Sequence, residues 1–198
     1  MSYTTEIERI VRDRRIQFLL HFTQIINLPG IMTHGLLPRR ELEKPIHTAY
    51  ASAKHRLDDN DDAISISISR INEPMFASKR DKSGHFNWLI LALAPEILWT
   101  HDCRFCWRNA ARKEIKDHRG WLGGPWALDQ MFSEHLGTRA GLPDSCPTDL
   151  EAEVQVLGNI APKYVRAIAV NRPEIAVPVE QALVEIIGHP PPVVIETF

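Results

Sequence analysis

Hydrophobic and polar positions alternate most cleanly at residues 63–69, where Ile64, Ile66 and Ile68 are separated by Ser65, Ser67 and Ser69. A period of two places the isoleucines on one face of a strand and a ladder of small hydroxyls on the other. A second alternation runs through residues 150–157, with Val154 and Val156 entering the core and Glu151 and Glu153 sharing the opposite face. Trp88 to Leu93 is apolar without a break, as in a central strand covered on both sides, and Pro95 stops it. Residues 16–23 read as a buried strand ending near His21 and Thr23, residues 165–170 as another, and residues 193–195 as a short terminal strand stiffened by the prolines at 190–192. Helices are expected through Leu28, Ile31 and Met32, capped by Asn27 and stopped by Gly35, over residues 126–136, and over residues 178–187 with Pro178 in the first turn. Residues 7–11 form a short helical or extended lead-in, residues 72–76 a turn, residues 38–62 a charged connection and residues 137–149 a loop.

A chain of 198 residues suits one domain, 1–198, and the order of elements makes it a strand-rich α+β domain. Its net charge of −2 excludes a generally basic nucleic-acid coat, so any contact with a polyanion is local. No apolar run approaches the ~18 residues of a membrane span, and early Glu6, Glu8 and Asp13 do not suit a secretory signal. No membrane association is expected. The three cysteines then read as reduced thiols in a cytoplasmic protein. Cys103 and Cys106 have metal-ligand spacing, with His101 and His118 nearby, but a tetrahedral site needs a second pair that Cys146 alone does not supply. No metal is expected. There is no glycine-rich phosphate loop and no internal repeat, which argues against a conventional nucleotide fold.

Two stretches carry chemistry. Glu151 and Glu153, side by side on a strand, would raise the pKa of one carboxylate and leave the other ionised, which suits holding a ribose hydroxyl and accepting a proton. The same pair also fits an ordinary solvated strand face. Ser65 and Ser67 leave room for a flat ligand against the sheet. Residues 99–126 interleave Arg104, Phe105, Trp107, Arg108, Arg112, Lys113, Lys116, Arg119, Trp121 and Trp126 with only Asp102, Glu114 and Asp117. Such a segment suits single-stranded nucleic acid, with guanidinium groups on phosphates and indoles under bases, each stack worth roughly 1–3 kcal/mol. At least two of the indoles of Trp107, Trp121 and Trp126 are expected in the core.

Several short motifs, taken in order, resemble a known family. These are His21-Phe22-Thr23 with Asn27-Leu28 and Gly35-Leu36-Leu37, Arg56-Leu57-Asp58, Ser65-Ile66-Ser67-Ile68, Asn72 with Met75-Phe76, residues 88–93, Asn109-Ala110-Ala111, Ala152-Glu153-Val154 and Ile160-Ala161-Pro162-Lys163-Tyr164. Together they look like a DarT-type DNA ADP-ribosyltransferase over residues 18–170, and the Arg-Leu-Asp, Ser-Ile-Ser-Ile and Asn-Ala-Ala set is similar to the branch that modifies guanine rather than thymine. The resemblance implies an ADP-ribosyltransferase-like fold of two packed small β-sheets with flanking helices around an NAD cleft, and transfer of ADP-ribose from NAD onto a base of single-stranded DNA.

The implied catalytic residues are Glu153 and Arg56, with Arg39, Arg40 and Arg80 as the other arginines in reach. The implied cofactor contacts are His21, Thr23, Asn27, Ser65, Ser67, Asn72, Met75 and Phe76, and the implied DNA contacts are Glu151, Arg80, Arg104, Trp107, Arg108 and Arg112. The family further implies a monomeric toxin paired with a macrodomain antitoxin of the DarG kind. Glu151 stands where many relatives carry glutamine, an E-x-E arrangement similar to arginine-modifying enzymes. A protein-modifying ADP-ribosyltransferase or an NAD glycohydrolase is therefore the alternative, and a non-catalytic single-stranded nucleic-acid-binding module the third reading.

Overall fold

The computed structural model describes residues 2–43, 60–83 and 87–198. Seven strands, β1 (Leu19–Gln24), β2 (Ala63–Ile68), β3 (Trp88–Leu93), β4 (Asp102–Cys106), β5 (Glu153–Leu157), β6 (Val165–Val170) and β7 (Val193–Ile195), lie in the order β4-β5-β2-β1-β3-β6-β7. Neighbours are antiparallel except β6 and β7, which run parallel. The helices are α1 (Tyr3–Asp13), α2 (Leu28–His34), α3 (Arg39–Leu42), α4 (Glu73–Ser83), α5 (Ile97–Thr100), α6 (Lys113–Lys116), α7 (Pro125–Gln130) and α8 (Pro173–Ile187).

A seam divides the sheet. β1 pairs with β3 from Leu19 to Gln24, but with β2 only through Leu19↔Ile68 and Leu20↔Ser67. Beyond that point β1 and β2 no longer pair, so β4-β5-β2 and β1-β3-β6-β7 are two halves of one seven-stranded sheet, joined through one short contact. Ile64, Ile66 and Ile68 of β2 and Leu89, Leu91 and Leu93 of β3 enter the main core, where Ile7, Ile10 and Val11 of α1 and Leu183 of α8 meet them. The alternate residues Trp88 and Ile90 join Ile71 and Phe76 in a smaller cluster, with Leu20, Phe22 and Phe198 against it. β3 is thus covered on both faces, as its unbroken apolar run requires. Each such side chain, fully buried, contributes about 1.5–3 kcal/mol.

Several elements differ from their sequence expectations. The lead-in is a full helix, with Ser2 accepting from the Thr5 amide at 3.2 Å as its N-cap. His21 lies inside β1 rather than at its end. Asn27 precedes α2 without capping it; its side-chain amide donates to Thr23 Oγ1 at 3.0 Å. Gly35 does end α2, at φ +88°, and an added Cβ would stand 2.3 Å from the Ile160 carbonyl oxygen. The turn at residues 72–76 opens α4: Asn72 Oδ1 accepts from the Met75 amide at 3.0 Å, and Pro74 lies in the first turn. β4, read only as a basic aromatic block, is a strand because Cys103 and Phe105 alternate into the core. The helix expected over residues 126–136 is α7 plus a separate 3-10 turn, Glu134–Leu136. α8 starts at Pro173, which leaves Pro178 inside the helix rather than in its first turn. No helix among the described residues is long and apolar enough to cross a membrane.

Candidate active site

The seam is bridged by a histidine. His21 is half-buried on β1 just past the last β1–β2 pair, and its Nδ1 lies 2.9 Å from the main-chain oxygen of Ser65 on β2. The ring therefore occupies the opening where a further ladder pair would lie. Two residues along, Thr23 is buried at 7 % exposure and held by Asn27. At the end of the same strand Gln24 is 3 % exposed, with its Nε2 unpartnered. On the facing strand Ser65 is half-buried and Ser67 buried, so the hydroxyl ladder is only partly open.

Across β2 lies β5, whose register pairs Ile66 with Val154 and Ser65 with Gln155. Glu153 is the first residue of that strand, half-buried, opposite Cys106 of β4. One carboxylate oxygen, Oε1, accepts the Ala110 amide at 2.8 Å. Glu151 is not on the strand: it belongs to the turn before it, so the two glutamates do not form the ladder that strict alternation predicts. The Glu151 carboxylate takes Arg112, with Nη2 at 2.5 Å and Nε at 3.2 Å. This bond and the charge behind it hold the Arg112 guanidinium above its ordinary pKa.

The same pattern extends one residue pair earlier. Asp149 accepts Arg108 Nη1 at 3.1 Å and the Glu151 amide at 2.8 Å, while Arg108 Nε lies 3.3 Å from Glu114. Glu114 in turn accepts the Trp107 indole at 2.8 Å. Arg104 donates to Gln155 Oε1 at 2.8 Å. The three arginines expected on DNA phosphates, Arg104, Arg108 and Arg112, are thus each bonded to a protein acceptor, and Trp107 is buried at 6 % exposure.

Only Trp107 of the three indoles is in the core. Trp121 and Trp126 are 61 % and 55 % exposed, a correction to the expectation that two would be buried. Glycine explains the first: the Trp121 ring lies over Gly123 and Gly124, where an added Cβ would come within 2.7–2.9 Å of it. Trp126 stacks on His118 with an interplanar angle of 15°.

Of the remaining expected residues, Phe76 is buried in the smaller cluster against Phe22 and Trp88, Met75 is half-buried, and Asn72 caps α4. The Arg80 guanidinium lies 5.3 Å from the Phe76 ring centroid. Arg56 and its neighbours Leu57 and Asp58 fall outside the described residues. Arg40 pairs with Asp62 at 3.0 Å, and Arg39 lies 3.8 Å from Glu43.

Sequence reasoning passed over Gln155, which is fully buried although it sits at a polar position of the alternation, and Arg139, which donates to the carbonyls of Pro143, Asp144 and Cys146 and to Thr148 Oγ1. With Arg70, which donates to Pro147 O at 2.7 Å, Arg139 ties down the loop that leads into β5. Ser69, just past β2, has φ +59° and a buried hydroxyl with no protein partner. Among the described residues no group of three His, Cys, Asp or Glu side chains is placed to hold a metal ion. Cys103 is buried, and burial pushes its thiol up to about 12, while burial and then Lys163 pull His101 down.

This seven-stranded α+β fold, parted at a seam, is of the ADP-ribosyltransferase type. Solved structures share it: Thermus sp. 2.9 DarT in complex with NAD+ (18 % identity, 91 % of this chain and 95 % of that one, TM-score 0.66), the same protein in complex with ADP-ribosylated ssDNA (17 %, 92 % and 95 %, 0.67), and Thermosipho africanus DarTG in complex with ADP-ribose (19 %, 90 % and 49 %, 0.57). No curated protein matches the chain. Residues 20–197 match the family described as ssDNA thymidine ADP-ribosyltransferase, DarT, and the chain belongs to that family.

Proposed function

We propose that this protein transfers ADP-ribose from NAD to a base of single-stranded DNA and releases nicotinamide. Membership of the DarT family supports the reaction class. The observation that carries the assignment of residues is the half-buried Glu153 at the head of β5, two strands from His21 at the seam.

NAD supplies a glycosidic bond whose cleavage leaves positive charge on the ribose. A carboxylate beside that carbon stabilises the charge and can hold a ribose hydroxyl, and this is the role assigned to Glu153. As the base nitrogen bonds to C1′, nicotinamide departs with the electrons of the broken bond, and the proton of the attacking amine passes to Glu153 and then to solvent. His21 and Thr23, with Asn27, are assigned to the adenosine-side ribose or the nicotinamide amide, Ser65 and Ser67 to a flat ligand against the sheet, and Asn72, Met75 and Phe76 to the nicotinamide end. Arg56 is assigned to pair with the cofactor's diphosphate or to position the acceptor. The half-exposed polar groups at the seam suit a ligand rich in hydroxyls.

Guanine is the assigned base, on the likeness of the Arg-Leu-Asp, Ser-Ile-Ser-Ile and Asn-Ala-Ala motifs to that branch. Glu151 faces the acceptor and shapes this choice together with Arg112. The biological role assigned is that of a monomeric, cytoplasmic toxin, a single domain over residues 1–198, countered by a macrodomain antitoxin; one of the similar solved structures is a DarTG.

The test is mass spectrometry of four single-stranded oligonucleotides, each offering one type of reactive base, after incubation with NAD. One ADP-ribose added to the guanine oligonucleotide, with nicotinamide released in step, supports the reading. A thymine adduct overturns the assignment of the base alone. Nicotinamide release without any DNA adduct transfers the protein to the glycohydrolase or protein-modifying class suggested by Glu151.

A further inference from the structure

Asp149, Glu151 and Glu153 approach and enter β5 as alternate residues, and the segment 108–112 engages all three. Arg108 takes Asp149 at 3.1 Å, Arg112 takes Glu151 at 2.5 Å, and between them the Ala110 amide donates to Glu153 Oε1 at 2.8 Å. The middle contact is of a different kind. A guanidinium on a long side chain can swing away, whereas the direction of a main-chain N–H is set by the backbone around it.

Asn109 sets that backbone. Its Oδ1 accepts the Ala111 amide at 3.0 Å, an Asx turn, and its main-chain oxygen accepts the Arg112 amide at 3.0 Å. Two closures over four residues leave the Ala110 N–H, which lies between them, directed at the carboxylate. Ala110 is 4 % exposed, so the bond is made where water competes little.

We propose that Asn109 is a positioning residue for the transfer reaction: its side chain fixes the turn whose Ala110 amide orients Glu153. The proposal rests on the reading of Glu153 as the catalytic carboxylate. An N–H donated to a carboxylate stabilises the charged form, so loss of the Ala110 contact favours protonation of Glu153 and loosens the orientation of its side chain. A serine at the same position keeps an oxygen able to accept the amide two residues on; an alanine does not.

The experiment compares wild type, Asn109→Ala and Asn109→Ser over about pH 4 to 9, with oligonucleotide saturating and NAD varied up to saturation. For N109A we expect kcat to fall about tenfold, its acid limb to move up by about one pH unit, and KM for NAD to change by less than about twofold. N109S regains most of the rate and of the limb. An N109A limb that stays in place, or an N109S as impaired as N109A, overturns the proposal and leaves Asn109 an ordinary turn residue. Should N109A fail to fold, Asn109→Thr and Asn109→Gly give the same contrast, one with the hydroxyl and one without. If wild type makes no adduct, it is the functional reading that fails; NMR titration of Glu153 in wild type and the variant then decides the positioning claim, an upward shift sustaining it and identical titrations ending it.

Discussion

Glu153 begins β5 half-buried with one oxygen already committed to a main-chain amide, so Glu153→Gln keeps the size of the side chain while removing its charge. Loss of the charge facing a developing cation should lower kcat at least about a hundredfold, as removal of other preorganised electrostatic groups does. A nicotinamide-release assay measures this, and an E153Q that retains more than about a tenth of wild-type rate refutes the assignment. Gly35 concerns stability alone. At φ +88°, with the Ile160 oxygen 2.3 Å from where a Cβ would stand, Gly35→Ala must break the paired hydrogen bonds that Leu36 and Ile160 exchange at 2.9 Å each. Urea unfolding should show a loss greater than about 1 kcal/mol. Gln155 shows why polar residues in strands mislead. Its place in the alternation gives it to solvent, but β5 lies inside the sheet and Arg104 and Asn60 reach its oxygen at 2.8 and 3.4 Å, which satisfies the group and permits full burial.

Elements with a clear period or a continuous apolar run were legible in the chain: β2, β3, β6 and β7 lie where the pattern puts them. α4 and β4 were not. α4 carries little apolar periodicity, with Phe76 its buried anchor, and only its start signals Asn72, Glu73 and Pro74 mark it. β4 is surrounded by arginine and tryptophan, and its buried residues, Cys103, Phe105 and Cys106, do not form a visible alternation. Glu153 was legible as a candidate because it belongs to a strand pattern. Asn109 was legible only as part of the Asn-Ala-Ala motif, and its bonds to the Ala111 and Arg112 amides, like those of Arg139 to carbonyls, are contacts with main-chain groups that no sequence pattern displays. The Arg139 contacts give the loop of residues 137–149 its shape: four acceptors converge on one guanidinium. Arg139→Ala should cost about 1.5–3 kcal/mol for the charge-assisted bonds and expose the loop to proteolysis, with cleavage mapped by mass spectrometry. An R139A digested no faster than wild type would show that the loop holds itself.

At the level of the molecule, the buried Cys103 ties stability to alkaline pH. Burial pushes its thiol up to about 12 from an ordinary value of 9.0, so the folded state holds a proton that the unfolded chain gives up. The contribution is complete below about pH 9 and is lost between about 9 and 12. Cys103 should accordingly resist alkylation at neutral pH and react when the protein is unfolded, a contrast read by peptide mass spectrometry; rapid labelling of the native protein contradicts the burial. In the proposed function the fold matters through its seam. The two halves of the sheet, joined at Leu19–Leu20 and Ser67–Ile68, open beside His21, and the turn of residues 108–112 holds Glu153 at the head of β5, beside β2. A crystal structure with a non-hydrolysable NAD analogue tests that arrangement most directly. The account predicts the ribose that bears nicotinamide within hydrogen-bond reach of Glu153 and the rest of the ligand along the seam by His21; a ligand bound elsewhere, with Glu153 facing solvent, would contradict it.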